Sequence, residues 1–229
     1  MHSFVSLTVL NLNNLEPYLR NSTQLIVANA TDWNSHQAKM QWFERASVND
    51  KWQPYNEPFD VVIGKKGLAY GQSQIPVPEG IIDFKKEGDM KSPAGLFGFC
   101  FAFGYAKEPD PVINWPYLHI DENFVGVDDP DSRYYNCIVD QSKLKPQDWK
   151  SAETMYRSDG LYKWGMVIDY NFNPFVKSGG SQIFLHIWRG PESGTEGCTA
   201  MPENKMLELL QWLDGKRNPL LWQGVNISI

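Results

Sequence analysis

The sequence predicts a mainly β domain with one packed helix near its C-terminal end. Three observations support this: short apolar segments separated by turn residues, 18 Gly and 15 Pro among 229 residues, and a single run with helical spacing. Short strands at such spacing are typical of a sandwich or a barrel, and the residues alone leave both open. A chain of this length suits one large domain or two small ones.

The first third of the chain contains three predicted strands. Residues 25–28 form a β-branched apolar run, and residues 36–45 alternate well enough for a half-exposed partner strand. A turn at residues 33–35 joins these two strands. Residues 59–63 predict a third strand, and the Gly-Lys-Lys-Gly run at residues 64–67 predicts a hairpin turn after it.

The middle of the chain combines one strand with two long loops. A turn-rich loop over residues 86–97 runs into an apolar strand over residues 96–103. Residues 104–163 are polar and rich in aromatic side chains, Asp and Pro. A loop this long inside a compact domain usually has a function, so we expect this excursion to wall or cover a cleft.

The last third predicts two strands and the helix. The strands cover residues 164–170 and a short segment that ends at His186. The helix extends from about residue 203 to 213, because four apolar side chains recur there at helical spacing. A proline suits its first turn, and Gly and Pro residues follow it as stop signals.

Charge and hydropathy exclude several classes of protein. The net charge is −6 and Lys and Arg form no run, so we expect neither nucleic acid nor an anionic membrane surface as partner. No apolar run is long enough to span a bilayer. Residues 1–10 lack the cationic end and cleavage site of a complete signal peptide, so the sequence leaves export open.

We predict no metal and no cofactor. The acidic cluster of Asp128, Asp129 and Asp131 lacks the glycine and terminal glutamate of an EF-hand. A His/Cys zinc site lacks enough ligands at suitable spacing.

The chain has three cysteines, Cys100, Cys137 and Cys198, so at least one thiol is free. A Cys100–Cys137 disulfide stays possible, although two inert buried thiols are favoured. We expect both to be dispensable for chemistry, since Cys100 lies in an apolar run and Cys137 has no histidine nearby in sequence.

Residues 182–199 concentrate the chemistry. A short apolar strand reaches His186, a polar loop with glycines follows, and Cys198 stands between Gly197 and Thr199. Imidazole is the side chain best suited to activate a thiol near neutral pH, and the loop can bring the two together. The competing interpretation is a core histidine and a buried free cysteine.

This stretch resembles the signature of the YkuD-type L,D-transpeptidases, in which a strand with histidine precedes Thr-x-Gly-Cys. The Gly-Asp-x-Lys-Ser-Pro-x-Gly-Leu-Phe run at residues 88–97 resembles another block of the family. Further similar blocks favour its ErfK/YbiS/YcfS/YnhG branch, and the likeness extends from about residue 25 to 213. These further blocks lie at residues 61–68, 128–136 and 167–171.

The resemblance implies a β-sandwich-like catalytic domain over residues 22–229, after an N-terminal lead-in over residues 1–21. It implies a cysteine enzyme that attacks the tetrapeptide stem of peptidoglycan at its third residue, a diamino acid. The enzyme releases the terminal D-alanine, and an amine of a second stem resolves the thioester to give a 3-3 type cross-link. It also implies a periplasmic or cell-wall-facing location and acylation by carbapenems.

Residue roles follow by position. Cys198 is the expected nucleophile and His186 the expected general base, with the backbone carbonyl of Ile187 as the third element. The amides of Gly197 and Cys198 would form the oxyanion hole. For substrate binding we expect contributions from Tyr134, Tyr135, Arg189, Lys91 and Thr195.

Two positions depart from the common motif of the family. Glu196 stands where a second histidine is usual, and Ala200 stands where an arginine follows the cysteine. An anion beside a thiolate raises the thiol pKa unless it points away or is paired, so we assign Glu196 no catalytic role. Recognition of the substrate carboxylate consequently has no residue carried over from the family.

Other function classes stay open from sequence alone. An L,D-carboxypeptidase would use the same residues with water in place of the acceptor amine. A non-catalytic wall-binding module would not need Cys198 and His186 in this frame, so their presence argues against it. A papain-like protease is disfavoured because its cysteine precedes its histidine in the chain. The sequence predicts no oligomeric state.

Overall fold

The structure is a computed structural model that describes residues 12–110 and 112–227. Two α-helices occur in this part, α1 (Leu12–Leu19) and α2 (Glu203–Trp212), with short 3-10 turns at Gln141–Lys143 and Gly215–Arg217. The first seven strands are β1 (Gln24–Ala30), β2 (Gln37–Glu44), β3 (Gln53–Pro54), β4 (Phe59–Val62), β5 (Leu68–Tyr70), β6 (Ser92–Phe97) and β7 (Phe99–Gly104). The others are β8 (Tyr117–His119), β9 (Phe124–Val127), β10 (Ile138–Asp140), β11 (Ala152–Thr154), β12 (Trp164–Ile168), β13 (Phe184–Ile187), β14 (Thr199–Met201) and β15 (Leu220–Val225).

Most strands belong to one long mixed sheet. Its order is β5-β6-β15-β1-β2-β4-β14-β13-β12-β7-β8, and β3 pairs with β2 outside this path. A small second sheet has the order β10-β9-β11 and lies within the predicted excursion. The excursion is therefore partly built from strands and is not a plain loop.

The sheet curls so that its two halves share one hydrophobic core. Side chains from β1 and β2, at one half of the strand order, pack with side chains from β12 and β13 at the other. Phe97 of β6 and Tyr170 after β12 meet edge to face, with ring centroids 5.8 Å apart. Helix α2 buries Met206, Leu209 and Leu210 in the same core. The predicted mainly β, sandwich-like class with a C-terminal helix is confirmed.

A second core lies on the other face of β1. Ile26 and Ala28 enter the first core, whereas Leu25 and Val27 pack with α1 and β15 in the second, as the two-residue period of a strand requires. Helix α1 falls within the predicted lead-in over residues 1–21, and sequence reasoning did not find it. Residues 1–11 of that lead-in lie outside the part of the chain that the structure describes.

Most predicted elements are present, and two need correction. The predicted single strand over residues 96–103 is interrupted at Gly98, and its halves pair with different neighbours, β6 with β15 and β7 with β12. Residues 64–67 do form a turn, with the Gly67 N–H donating to the Gly64 carbonyl at 2.7 Å. It is not a hairpin, because β4 pairs with β2 and β14 while β5 pairs with β6.

Neither helix in the described ranges has the length and apolar character needed to cross a bilayer.

Candidate active site

Strands β13 and β14 place His186 and Cys198 on the same face. They pair in parallel, with Leu185 opposite Thr199 and His186 opposite Ala200. Leu185 packs into the first core, so His186 and the residue just before Thr199 point to the other side of the sheet. Cys198 accordingly belongs to a third hydrophobic cluster, built with Phe103, Tyr162 and Phe184.

Both side chains line one cavity of about 650 Å³. The loop between β13 and β14 supplies one wall. The excursion supplies another, through Asp128, Glu153, Arg157, Leu161 and Tyr162. The expectation that the excursion lines the cleft therefore agrees with this geometry.

His186 is held in one tautomer by its own backbone neighbour. Its Nδ1 lies 2.7 Å from the carbonyl oxygen of Ile187. Because a carbonyl oxygen can only accept, Nδ1 carries the proton and Nε2 stays unprotonated as an acceptor. The ring of Tyr162 stands edge-on to the imidazole at 5.1 Å. Burial lowers the pKa of His186 to about 4, so the imidazole is neutral at neutral pH.

Cys198 is 8% exposed. Its Sγ accepts from the Phe184 N–H and donates to the Gln182 carbonyl, both at 3.3 Å. Burial, and then the negative charge of Glu153, raise the pKa of the thiol to about 12, against smaller opposing effects of the Phe184 N–H and Lys85. The resting pair is thus a neutral thiol and a neutral imidazole.

The loop before Cys198 is fixed by hydroxyl groups. The Cys198 carbonyl accepts from Thr195 Oγ1 at 2.5 Å and from Ser92 Oγ at 2.9 Å. The Gly197 N–H donates to Thr195 Oγ1 at 3.1 Å, so it does not point freely into the cavity as the predicted oxyanion hole requires. Thr195 lines the cavity, yet its hydroxyl is used within the loop.

Gly197 is required by its backbone. Its φ of +150° lies in the region that L side chains rarely adopt, and an added Cβ would approach the Lys91 carbonyl to 3.1 Å. The turn that presents Cys198 therefore needs a glycine at this position.

The departure at Glu196 has a structural explanation. Its carboxylate pairs with Lys65 at 2.5 Å, and the Glu196 side chain is 75% exposed. The Glu196 carboxylate is therefore paired and exposed to solvent. The carboxylate that raises the pKa of the Cys198 thiol is that of Glu153.

The predicted substrate-binding residues separate into two groups. Arg189 and Thr195 line the cavity, whereas Tyr134, Tyr135 and Lys91 are not among its lining residues. Neither tyrosine is at the cavity wall in this structure, and Tyr135 instead ties the excursion to Glu87 and Gly180. Tyr135 is 5% exposed and donates to Glu87 at 2.6 Å, which also raises its pKa after the effect of burial.

Tyr134 and Lys91 also have partners outside the cavity. The ring of Tyr134 meets Trp149 edge to face at 5.8 Å and lies under the Arg133 guanidinium. Lys91 pairs with Asp83 at 2.5 Å.

Arginines at the cavity wall share one carboxylate. Arg157 donates to both oxygens of Asp159, at 3.0 and 2.7 Å, and Arg189 donates to the same carboxylate at 2.9 Å. Arg189 is the more exposed of the two guanidinium groups. Its remaining donors make it the stronger candidate for binding a substrate carboxylate.

Sequence reasoning missed three residues of the site. Tyr162 donates to Glu153 at 2.5 Å, and both come from the excursion, where no motif marks them. Lys85 lines the cavity with a side chain that is 2% exposed, and it pairs with Asp89 at 2.7 Å. Asp89 belongs to the Gly-Asp block that the sequence had singled out, so a search for its partner could have found Lys85.

The other two cysteines, Cys100 and Cys137, are not among the residues that line the cavity. All three cysteines are free, so Cys100 and Cys137 form no disulfide. Burial, and then the nearby Asp169 carboxylate, raise the pKa of Cys100 to about 12. Within residues 12–110 and 112–227, no group of three His, Cys, Asp or Glu side chains is placed to hold a metal ion.

The fold and the site define a mainly β domain with a buried cysteine and histidine in one cavity. The model of the YkuD family, the L,D-transpeptidase catalytic domain, matches residues 26–221. The chain therefore belongs to the YkuD family, whose enzymes are L,D-transpeptidases that act on peptidoglycan. Neither the comparison with curated proteins nor the comparison with solved structures found a match.

Proposed function

We propose that this chain is a cysteine-dependent peptidoglycan L,D-transpeptidase of the ErfK/YbiS/YcfS/YnhG branch. It acts on the stem tetrapeptide through a Cys198 thioester, releases D-alanine and forms 3-3 type cross-links. The observation that carries the proposal is the tautomer of His186, whose Nδ1–H donates to Ile187 and leaves Nε2 as an acceptor in the cavity of Cys198. A protein with this substrate would act in the periplasm or facing the cell wall.

Acylation begins from the neutral pair. Cys198 gives its proton to His186 Nε2 as Sγ forms a bond to the carbonyl carbon of the third stem residue. The Cys198 N–H stabilises the developing oxyanion, since the Gly197 N–H is engaged by Thr195. The imidazolium then returns the proton to the departing D-alanine nitrogen, and the C–N bond breaks to leave a thioester.

The second half of the reaction uses the same groups. An acceptor amine attacks the thioester carbonyl, the C–S bond breaks, and the amine proton passes through His186 to the thiolate. Arg189 at the cavity wall is the candidate for holding the donor carboxylate. With water as acceptor the product would be a tripeptide, which is the carboxypeptidase outcome.

The test combines substrate and inhibitor. Incubation with defined tetrapeptide muropeptides should give dimeric 3-3 products by mass spectrometry, and Cys198→Ala should give none. His186→Ala should lower the acylation rate by roughly 10²–10⁴, the usual contribution of a positioned acid–base group. A carbapenem should add one covalent adduct to the wild type and none to Cys198→Ala.

Each other result has a definite meaning. Tripeptide alone would assign the carboxypeptidase reaction, and unchanged muropeptide would assign a non-catalytic module. A carbapenem adduct that survives in Cys198→Ala would show that the nucleophile is another residue. Cys100→Ser and Cys137→Ser serve as matched controls, and both should retain turnover.

A further inference from the structure

The wall of the cavity that holds Cys198 contains a buried cation. Lys85 is one of the lining residues, and its side chain is 2% exposed. Its backbone N–H donates to the Tyr70 carbonyl at 2.7 Å, which fixes the residue in the loop between β5 and β6. A buried charge costs free energy unless it is paired, and an apolar side chain of similar volume is often at least as stable. Packing alone therefore does not explain a lysine at this position.

The ammonium of Lys85 is paired with a carboxylate that does not reach the cavity. Its Nζ donates to the Asp89 carboxylate and to the Lys86 carbonyl, both at 2.7 Å. Asp89 also accepts from the backbone N–H groups of Lys86 and Lys91, at 2.7 and 2.9 Å. Asp89 is not among the lining residues, whereas Lys85 is. The cationic end of this ion pair therefore lies on the cavity side.

The Lys85 side chain lies beside two glycines, one before β13 and one before β14. An added Cβ at Gly180 would lie 3.2 Å from Nζ and Cε of Lys85, and one at Gly197 would lie 3.8 Å from Cε. Gly197 directly precedes Cys198. Two residues after Gly180, the Gln182 carbonyl accepts from Cys198 Sγ at 3.3 Å. Lys85 thus adjoins both segments of chain that hold the thiol.

Charged groups of both signs act on Cys198. The Glu153 carboxylate raises the pKa of the thiol, whereas Lys85 and, less strongly, Arg157 lower it. Two further titratable groups line the cavity, and both are neutral at neutral pH: His186 and Tyr162. Lys85 is therefore the cation that most favours negative charge at the thiol.

Attack on a carbonyl group starts from a neutral thiol and moves negative charge from the sulfur to the carbonyl oxygen. A positive charge fixed in a site of low dielectric stabilises such charge without reorganisation. We propose that Lys85 is a positioning residue of this site: its buried ammonium, held by Asp89 beside the Cys198 turn, stabilises the negative charge that develops there during acylation. This role rests on the proposed function for the acylation step itself.

Alkylation of Cys198 by iodoacetamide tests the charge without requiring catalysis. Lys85→Met keeps an apolar stem of similar length beside the two glycines and removes the positive charge. The rate of alkylation at a fixed alkaline pH should fall by at least about threefold, because the thiolate fraction falls as the pKa of the thiol rises. A purely structural role predicts the opposite, since a loosened turn would expose Cys198 to the reagent and speed its alkylation.

Two further variants separate charge from packing. Lys85→Arg retains the positive charge and should restore the wild-type rate. Lys91→Met removes a cation of the same loop that is paired with Asp83 and does not line the cavity, so it should leave the rate unchanged. A smaller fall, an unchanged rate or a faster rate in Lys85→Met would overturn the proposal, as would an equal fall in Lys85→Arg. If Lys85→Met does not fold, the double variant Lys85→Met/Asp89→Asn removes both charges of the pair and should show the same fall.

Carbapenem acylation extends the test to the proposed chemistry. Lys85→Met should lower the rate constant of acylation and leave the affinity of the non-covalent complex unchanged, because the charge acts on the transition state. A loss confined to the affinity would contradict the proposal. A wild type that carbapenems do not acylate would instead refute the proposed function, and the alkylation rates would still decide whether the Lys85 charge acts on Cys198.

Discussion

At the scale of single residues, the site holds Cys198 as an uncharged thiol. Burial raises the pKa of Cys198 to about 12 and lowers that of His186 to about 4. A thiolate–imidazolium pair requires a thiol pKa below that of the imidazole, and here the order is the reverse. Under the proposed function, the thiol proton would therefore leave during attack on the substrate, not before it.

Alkylation of Cys198 by iodoacetamide should show this directly. The thiolate is the reactive species, so the rate should be slow at neutral pH and should still rise with pH above 9. Between pH 5 and 8 the rate should follow the thiolate fraction alone, with no inflection from His186, because the imidazole is neutral above about pH 4. Peptide mass mapping resolves Cys198 from Cys100 and Cys137.

Glutathione provides an unperturbed thiol for comparison, with a rate that levels off near its ordinary pKa, about 8.5. A Cys198 rate that is already level between pH 6 and 8 would mean that an ion pair exists in the resting enzyme.

Sequence reasoning points to residues that a motif marks, and it misses neighbours that only the fold brings to the cavity. His186 and Cys198 line the same cavity, and both lie in the stretch that spacing and family likeness mark in the sequence. Glu153 and Tyr162 reach the site from the excursion through the register of a separate small sheet. No local pattern encodes such a long-range contact.

At the scale of elements, β12 supports the site through a glycine. Gly165 pairs with His186 on one side and with Phe103 of β7 on the other. An added Cβ at Gly165 would lie 2.2 Å from the Phe103 ring. The Phe103 ring packs edge to face on Tyr162 at 5.9 Å and on Phe184 at 5.2 Å. Its position therefore helps to fix these two rings, which form the floor of the site.

Gly165→Ala should therefore reduce both stability and activity. Displacement of the Phe103 ring by overpacking should cost about 1–3 kcal/mol in the free energy of unfolding, measured by urea titration. The carbapenem acylation rate should fall as well, because Tyr162 and Phe184 move with Phe103. A second change, Phe103→Leu, should recover part of the loss in the double variant.

Gly98→Ala is the control, since an added Cβ there meets its nearest atom at an ordinary 3.7 Å. It should change the stability by no more than about 0.5 kcal/mol. Full stability and full acylation in Gly165→Ala would show that the floor of the site tolerates displacement of Phe103.

The predicted and observed elements differ where local pattern and pairing conflict. Strands β1, β2, β4, β12 and β13 and helix α2 have clear apolar periods, and the structure confirms them. The apolar run through Gly98 looked continuous in sequence, yet its two halves pair far apart in the sheet. The order of strands in a sheet depends on long-range pairing, which the local apolar period of a segment does not encode. The hairpin predicted at residues 64–67 was wrong for the same reason.

At the scale of the whole molecule, the site and helix α1 lie in different hydrophobic clusters. Cys198 belongs to the cluster formed with β7, β12 and β13, whereas α1 packs with β1 and β15. Besides its apolar contacts, the end of α1 is bonded by Arg45, which is 3% exposed. Its guanidinium donates to the carbonyls of Leu19 at 2.6 Å and Ser22 at 2.9 Å, and its plane covers the Trp52 ring at 4.4 Å.

This separation predicts a variant that weakens the fold and spares the chemistry. Arg45→Met should keep the contact with Trp52 but leave the carbonyls of Leu19 and Ser22 without their donor, at a cost of about 2–4 kcal/mol in the free energy of unfolding. Carbapenem acylation of Cys198 below the unfolding transition should stay within about twofold of wild type.

The exposed Arg20→Met is the matched control and should shift the unfolding midpoint little. An Arg45→Met protein with wild-type stability would show that α1 is held by its apolar contacts alone, and a selective loss of acylation would show that the two clusters are coupled through the sheet.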